Sequence, residues 1–167
     1  AEETIARISK RHPEIFVCAG TVLTVENAKR AVSAGAKAIV SPGIGRKVVE
    51  WCLENEVPVA PGCATPSDIQ TCIEYGLDFV KIFPAEVLGG VNFIKALAGP
   101  FGFMKFMPTG GVTLQTLPNY LAQRNVVACG GTWIVPERLL ANEDFEFIED
   151  LAHEAAQLCA SIRRKNG

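Results

Sequence analysis

The chain has 167 residues, 49% of them hydrophobic and 20% charged, and a formal net charge of −2 at pH 7. That balance excludes a disordered chain, which lacks the apolar content to fold, and a strongly basic surface of the kind that recruits nucleic acid. Apolar runs stop at about five or six residues, far short of the roughly 20 that a membrane-spanning helix needs, so no membrane partner is expected.

The opening residues, Ala1–His12, predict an amphipathic helix rather than a secretory leader, which would set an apolar block behind a short basic stub. Ile15–Ala19 is the first apolar strand run and ends in Gly20-Thr21. Thr24 is placed to cap a helix that Gly35 closes with a left-handed turn. Ala38–Ser41 is the second run, ending in Ser41-Pro42-Gly43, and Val57–Pro61 the third, ending in Pro61-Gly62. Thr65 followed by Pro66 is a cap with a first-turn proline, and Gly76 ends that helix. Phe79–Phe83, Lys105–Thr109 and Val126–Gly130 are the remaining runs; the last two lead into Thr109-Gly110-Gly111 and Gly130-Gly131-Thr132. A final helix from about Asp144 lines up Phe147, Ile148, Leu151, Ala155, Leu158 and Ile162 on one face. Arg163-Arg164-Lys165 suits its last turn, where the helix dipole favours cations.

Successive runs start roughly 20–26 residues apart, the period of a βα unit, and their unbroken apolar character suits parallel strands covered on both faces. About six units are present, fewer than the eight of a closed barrel. An open doubly wound sheet and a barrel lacking its first units both fit that count. The strand ends favour the barrel, because polar and glycine-rich groups stand at the C-terminal end of nearly every run, where barrel enzymes build their sites. The expected class is therefore α/β, a (β/α)8 TIM-type barrel with about six βα units, as one domain over residues 1–167.

Six cysteines, at 18, 52, 63, 72, 129 and 159, form no C-x-x-C pair, and two histidines add little to any metal site. Scattered single cysteines suit a reducing, cytoplasmic setting. Cys18 and Cys129 read as small hydrophobes inside strands, and Cys63 as a loop thiol with nothing nearby to activate it. Trp51 and Trp133 read as packing residues, His12 as a surface residue before Pro13, and His153 as a helical residue without a matching ligand.

Lys81 carries the sharpest chemistry. Alternation along a strand puts Phe79, Lys81 and Phe83 on one face and Val80 and Ile82 on the other. An ammonium among apolar neighbours is poorly solvated, so its pKa falls, and a neutral amine beside a keto group forms an imine. A lysine paired with a buried carboxylate, or reaching past the rim to water, is the structural alternative. The two glycine pairs let backbone N–H groups approach an anion, and a following helix N-terminus would add to this. If two units precede the chain, these loops follow strands seven and eight, where barrels often hold phosphate. Thr132 would add a hydroxyl. Tight turns are the alternative for either pair alone. For Thr21 two readings stand, a donor to a substrate carboxylate and a cap on the local turn.

Cys18-Ala19-Gly20-Thr21-Val22-Leu23, Ile39-Val40-Ser41-Pro42-Gly43, Phe79–Glu86, Ala98-Gly99-Pro100-Phe101, Pro108-Thr109-Gly110-Gly111-Val112 and Gly130-Gly131-Thr132-Trp133 resemble, in order and spacing, 2-keto-3-deoxy-6-phosphogluconate aldolase. The resemblance runs the length of the chain. It implies a homotrimeric class I aldolase of the Entner–Doudoroff pathway, yielding pyruvate and glyceraldehyde 3-phosphate; some relatives cleave 4-hydroxy-2-oxoglutarate. It implies that Lys81 forms the imine, that Thr21, Pro42 and Phe83 line the pyruvate end, and that Thr109 influences stereoselectivity. It further implies that Gly110, Gly111, Gly131 and Thr132 cradle the substrate phosphate. No metal or other cofactor is implied, since the imine polarises the carbonyl.

One departure stands out. The family's Glu-Val-Thr-Leu-Arg-like second strand, with its general base and carboxylate-binding arginine, is absent. About 45 residues, two βα units by the usual period, are lacking relative to the family. The expectation is a portion of a longer functional protein, N-terminally incomplete, that folds poorly alone or leans on another chain. Glu86 lies near Lys81 in sequence, but the resemblance gives it no role as base. Competing readings are a phosphosugar isomerase or lyase on a similar barrel and a non-catalytic sugar-phosphate-binding module.

Overall fold

The computed structural model describes residues 1–166, with side chains to residue 162. Two compact units result, Ala1–Phe83 and Pro84–Gly167. No helix among the described residues is long and apolar enough to cross a membrane.

In the first unit the elements run α1 (Glu2–Arg11), β1 (Cys18–Ala19), α2 (Val25–Ser33), β2 (Ala38–Val40), α3 (Arg46–Glu54), β3 (Val59–Ala60), β4 (Gly62–Cys63), α4 (Pro66–Glu74) and β5 (Phe79–Ile82). β1, β2 and β3 pair in parallel in that order, with Ala19 opposite Ile39 and Ile39 opposite Val59. β4 pairs in parallel with β5, setting Gly62 opposite Lys81. The core packs Ala28, Ala31, Ile39, Val48, Val49 and Cys52 together, with Trp51 against its edge. Small residues on α2 let the helix lie close on the strands, and dense packing of this kind is what burial rewards.

The helix signals hold at the residue level. Thr24 Oγ1 accepts from the Asn27 amide at 3.2 Å, satisfying a first-turn donor of α2. Thr65 forms a capping box: its hydroxyl accepts from the Asp68 amide at 3.2 Å while Asp68 Oδ2 accepts from the Thr65 amide at 2.9 Å. Gly35 and Gly76 adopt φ of 106° and 77°, as a left-handed helix exit requires. α1 is amphipathic, with Ile5 and Ile8 half-buried, and Glu2 pairs with Arg30 of α2.

Several expectations for the first unit are corrected. Ile15–Ala19 shrinks to Cys18–Ala19; Ile15 and Phe16 are exposed, and the Cys18 side chain is exposed rather than a core hydrophobe. The run at Val57–Pro61 keeps only Val59–Ala60 as a strand, and a second short strand, Gly62–Cys63, follows Pro61. Proline has no N–H to give a ladder, but the Pro61 carbonyl accepts from the Lys81 amide at 2.9 Å, so the chain turns from β2 on one side to β5 on the other. Cys63 consequently lies on a strand, buried, with its Sγ 3.6 Å from Cys72 Sγ, not in a loop.

The second unit holds α5 (Gly90–Ala98), β6 (Lys105–Pro108), α6 (Leu117–Leu121), α7 (Glu137–Ala141) and α8 (Phe145–Asn166). Here Val126–Gly130 is not a strand. It meets β6 and the residue after it through isolated parallel bridges, Phe106 to Val126 and Thr109 to Gly130. The Val127 amide donates to the Phe106 carbonyl at 3.1 Å and the Gly130 amide to that of Pro108 at 3.0 Å. Along α8, Ile148, Leu151, Ala155, Leu158 and Ile162 are buried or half-buried as expected, whereas Phe147 is exposed. The Arg163-Arg164-Lys165 side chains lie outside the described residues.

Candidate active site

Lys81 sits on β5 with the alternation its sequence demands. Val80 and Ile82 are fully buried, while Phe79, Lys81 and Phe83 share the half-buried face. The Lys81 Nζ lies 4.4 Å from the centre of the Phe83 ring. Burial lowers the pKa of Lys81 from its ordinary value, because desolvation penalises the ammonium. The ring face favours a cation and so opposes that shift, but the lost hydration of the ammonium sets the net direction.

Strand register brings the other first-unit candidates to the same end of the strands. Ser41 donates its amide to the Ala60 carbonyl at 3.3 Å, and Val22 its amide to Val40 at 3.1 Å. Counting on from the paired residues, Thr21 falls level with Ser41, and Pro42 with Gly62, which faces Lys81 across β4 and β5. A Cβ on Gly62 would overlap the Pro42 carbonyl, so glycine is required for that approach. Ser41 is the buried polar residue here; its Oγ donates to the Gly43 carbonyl at 2.8 Å and shapes the Pro42 turn. A cavity of about 610 Å³ lined by α1, β1 and α2 includes Thr21 but not Lys81, so it does not mark the amine.

In the second unit, the Thr109–Gly130 bridge sets the two glycine loops side by side. Gly110 and Gly111 have φ of 90° and 84°, a region that only glycine enters without strain. Added Cβ atoms would also collide: one on Gly130 would lie 2.6 Å from Thr109 Cγ2, and one on Gly131 would overlap the Trp133 ring. Packing and backbone conformation thus account for the glycines independently of any ligand. The expected helix dipole is not directly behind either loop. α6 begins six residues after Gly111 and α7 six after Gly131, and each is a single short turn or so of helix. Thr109 Oγ1 is buried without a hydrogen-bond partner, as is Trp133 Nε1, and Thr132 is exposed. A buried hydroxyl left unpaired costs free energy.

Sequence reasoning missed Tyr120. Its hydroxyl donates to Glu86 Oε1 at 2.7 Å, across 34 residues of sequence. Burial, then the Glu86 hydrogen bond, raise the phenol pKa, so it stays a donor. No local pattern marks such a pair.

A profile described as "Aldolase: KDPG and KHG aldolase" matches residues 1–151. The chain belongs to that aldolase family. The 2-dehydro-3-deoxy-phosphogluconate aldolase of Treponema pallidum (strain Nichols) is 44% identical over 158 residues, 95% of this chain and 75% of that protein. The crystal structure of the KDPG aldolase of Legionella pneumophila, with pyruvate captured at low pH as a covalent carbinolamine intermediate, superposes with a TM-score of 0.85 at 32% identity. It covers 96% of this chain, which spans 75% of that one. The 2-keto-3-deoxy-6-phosphogluconate aldolase of Zymomonas mobilis ZM4, solved with 3-phosphoglycerate, gives a TM-score of 0.84 at 35% identity over 93% of this chain and 72% of that one. Family and fold are thereby settled: a class I, imine-forming aldolase lineage on the (β/α)8 barrel fold, with about six βα units in these residues.

Proposed function

We propose that Lys81 is the imine-forming residue of an enzyme that cleaves 2-keto-3-deoxy-6-phosphogluconate into pyruvate and glyceraldehyde 3-phosphate. The observation that carries this is an amine on the half-buried face of β5, desolvated and 4.4 Å from the Phe83 ring. The carbinolamine captured in the Legionella relative supports it, since such an adduct needs a neutral amine and a keto carbon.

The chemistry balances on this chain's lysine. The neutral Nζ adds to the keto carbon and the carbonyl oxygen takes a proton, giving the carbinolamine. Protonation of the carbinolamine hydroxyl and its departure as water give a protonated imine. When the C4 hydroxyl loses its proton, the C3–C4 bond breaks and its electron pair moves toward the imine nitrogen, releasing the aldehyde and leaving an enamine. Protonation at C3 and hydrolysis then free pyruvate and restore the amine. Proton acceptance at the C4 hydroxyl is assigned to no residue of these 167.

Thr21, Pro42 and Phe83 form the pyruvate end in this reading, Thr109 meets the aldehyde portion, and Gly110, Gly111, Gly131 and Thr132 hold the phosphate. Binding a remote phosphate would orient the reacting carbons. Cleavage of 4-hydroxy-2-oxoglutarate is a second activity, favoured by the family's joint description. Homotrimeric assembly and a cytoplasmic setting complete the proposal, the latter supported by six free thiols.

The test is exchange of the pyruvate methyl hydrogens in deuterated water by the native full-length polypeptide, alongside turnover of both keto acids. Exchange by the native protein and its absence in Lys81→Met support the reading. Undiminished exchange in the variant contradicts it.

A further inference from the structure

We infer that the Tyr120–Glu86 pair is a positioning device that fixes the Gly110–Gly111 turn for the phosphate of the substrate. The inference deepens the proposed function and rests on its assignment of that turn to the phosphate end.

Two successive glycines at φ of 90° and 84° have the widest conformational freedom of any dipeptide, so their orientation must come from outside. Three contacts supply it. The Ala85 amide donates to the Thr109 carbonyl at 2.8 Å and the Glu86 amide to the Gly110 carbonyl at 3.1 Å, tying the entry to the turn and its first glycine to one segment. The Glu86 stem then covers Gly111 so closely that a Cβ there would lie 2.7 Å from both Glu86 Cβ and Cγ. Finally the carboxylate, on an otherwise exposed residue, is anchored by the hydroxyl of Tyr120, which is itself 1% exposed.

The anchor closes a ring. Beyond Gly111, Thr113 and Thr116 exchange side-chain-to-amide hydrogen bonds at 3.0 and 3.2 Å, and Thr116 leads into α6, which carries Tyr120. Gly90 leaves the pair its room: a Cβ there would lie 3.4 Å from both the Tyr120 hydroxyl and Glu86 Oε2. An unheld glutamate would keep its rotamer freedom and its charge would wander near the turn; the tyrosine removes both freedoms. The tether also fixes where that negative charge stands relative to an incoming anion.

A pair that merely stapled α6 to its neighbour would, on removal, affect every substrate alike. A positioning pair affects the phosphorylated one. In the native full-length enzyme, Tyr120→Phe and Glu86→Ala are each expected to raise KM for 2-keto-3-deoxy-6-phosphogluconate, and the inhibition constant of inorganic phosphate, about tenfold, the scale of one lost charge-assisted hydrogen bond. Their kcat stays within about twofold, and KM for the phosphate-free 4-hydroxy-2-oxoglutarate does not move. Glu86→Gln keeps the stem and an acceptor for Tyr120, and returns KM to near the native value. Equal shifts for both substrates, or none for either, overturn the inference; so does a Glu86→Gln enzyme as impaired as Glu86→Ala. Should Glu86→Ala not fold, Tyr120→Phe and Glu86→Gln decide. Native enzyme that is indifferent to substrate phosphate and uninhibited by inorganic phosphate removes the phosphate-end reading itself, and this inference with it. A phosphate-sensitive native enzyme with an unaltered Tyr120→Phe variant removes the inference alone.

Discussion

The strand bearing Lys81 and the turn bearing Gly110 and Gly111 belong to different units and carry their chemistry in different ways. On β5 the fold does not require the lysine proposed to form the imine: its neighbours Val80 and Ile82 do the packing, and the lysine occupies the face they leave. In the turn, the glycines are demanded by the fold whether or not a ligand comes, by φ at Gly110 and Gly111 and by collisions at Gly130 and Gly131. A residue that the fold would replace is stronger evidence of function than one it insists on. Lys81 therefore carries the proposal.

The comparison breaks first at Lys81. Lys81→Met is expected to remove turnover by at least about a thousandfold, the usual scale for a lost nucleophile, while an unbranched apolar chain of similar length leaves thermal unfolding near the native value. Calorimetry and a coupled pyruvate assay read the two quantities together; a large fall in unfolding temperature would make the lysine structural.

The pH dependence comes next in size. With the Lys81 pKa below its ordinary 10.5, the rate of imine formation with pyruvate should rise about tenfold per pH unit and level off before that value. The linkage has the same sign. In the window between the lowered folded pKa and 10.5 the unfolded chain binds more protons, so this group's contribution favours folding increasingly as pH rises. A plateau appearing only above 10.5 would deny the desolvation.

Substitution within the turn also reads out in stability. Gly111→Ala forces a side chain into left-handed backbone and against Glu86, and should cost about 1–3 kcal/mol in denaturant unfolding. Gly43→Ala, where a Cβ meets nothing within 4 Å, should stay within about 0.5 kcal/mol and serves as the contrast. Equal effects would erase the distinction between the two regions. A smaller loss, about 1 kcal/mol, is expected for Thr65→Ala, which dismantles the α4 capping box. Smallest of all is Thr109→Val. Replacing an unpartnered buried hydroxyl by a methyl should leave stability within about 0.5 kcal/mol or raise it, while altering the stereochemical outcome of aldol addition.

What could be read from the sequence follows the range of the forces involved. The caps at Thr24 and Thr65 and the alternation around Lys81 are set within a few residues, so local pattern exposed them. The change of partner at Pro61, from Val59–Ala60 on β2 to Gly62–Cys63 on β5, was not legible, because it depends on which neighbour each short strand pairs with. Val126–Gly130 looked like a strand by composition, yet only Val126 and Gly130 bridge to the β6 segment. Cys63 read as a loop thiol because its partner, Cys72, is a helix away, and the Tyr120–Glu86 pair joins positions no periodicity connects.

The central claim is most directly tested by treating the native full-length protein with pyruvate and borohydride and mapping the modified peptide by mass spectrometry. The account predicts a single stable adduct on the Lys81 side chain, formed faster as pH rises. An adduct on another lysine, or active enzyme that emerges with Lys81 unmodified, would contradict it.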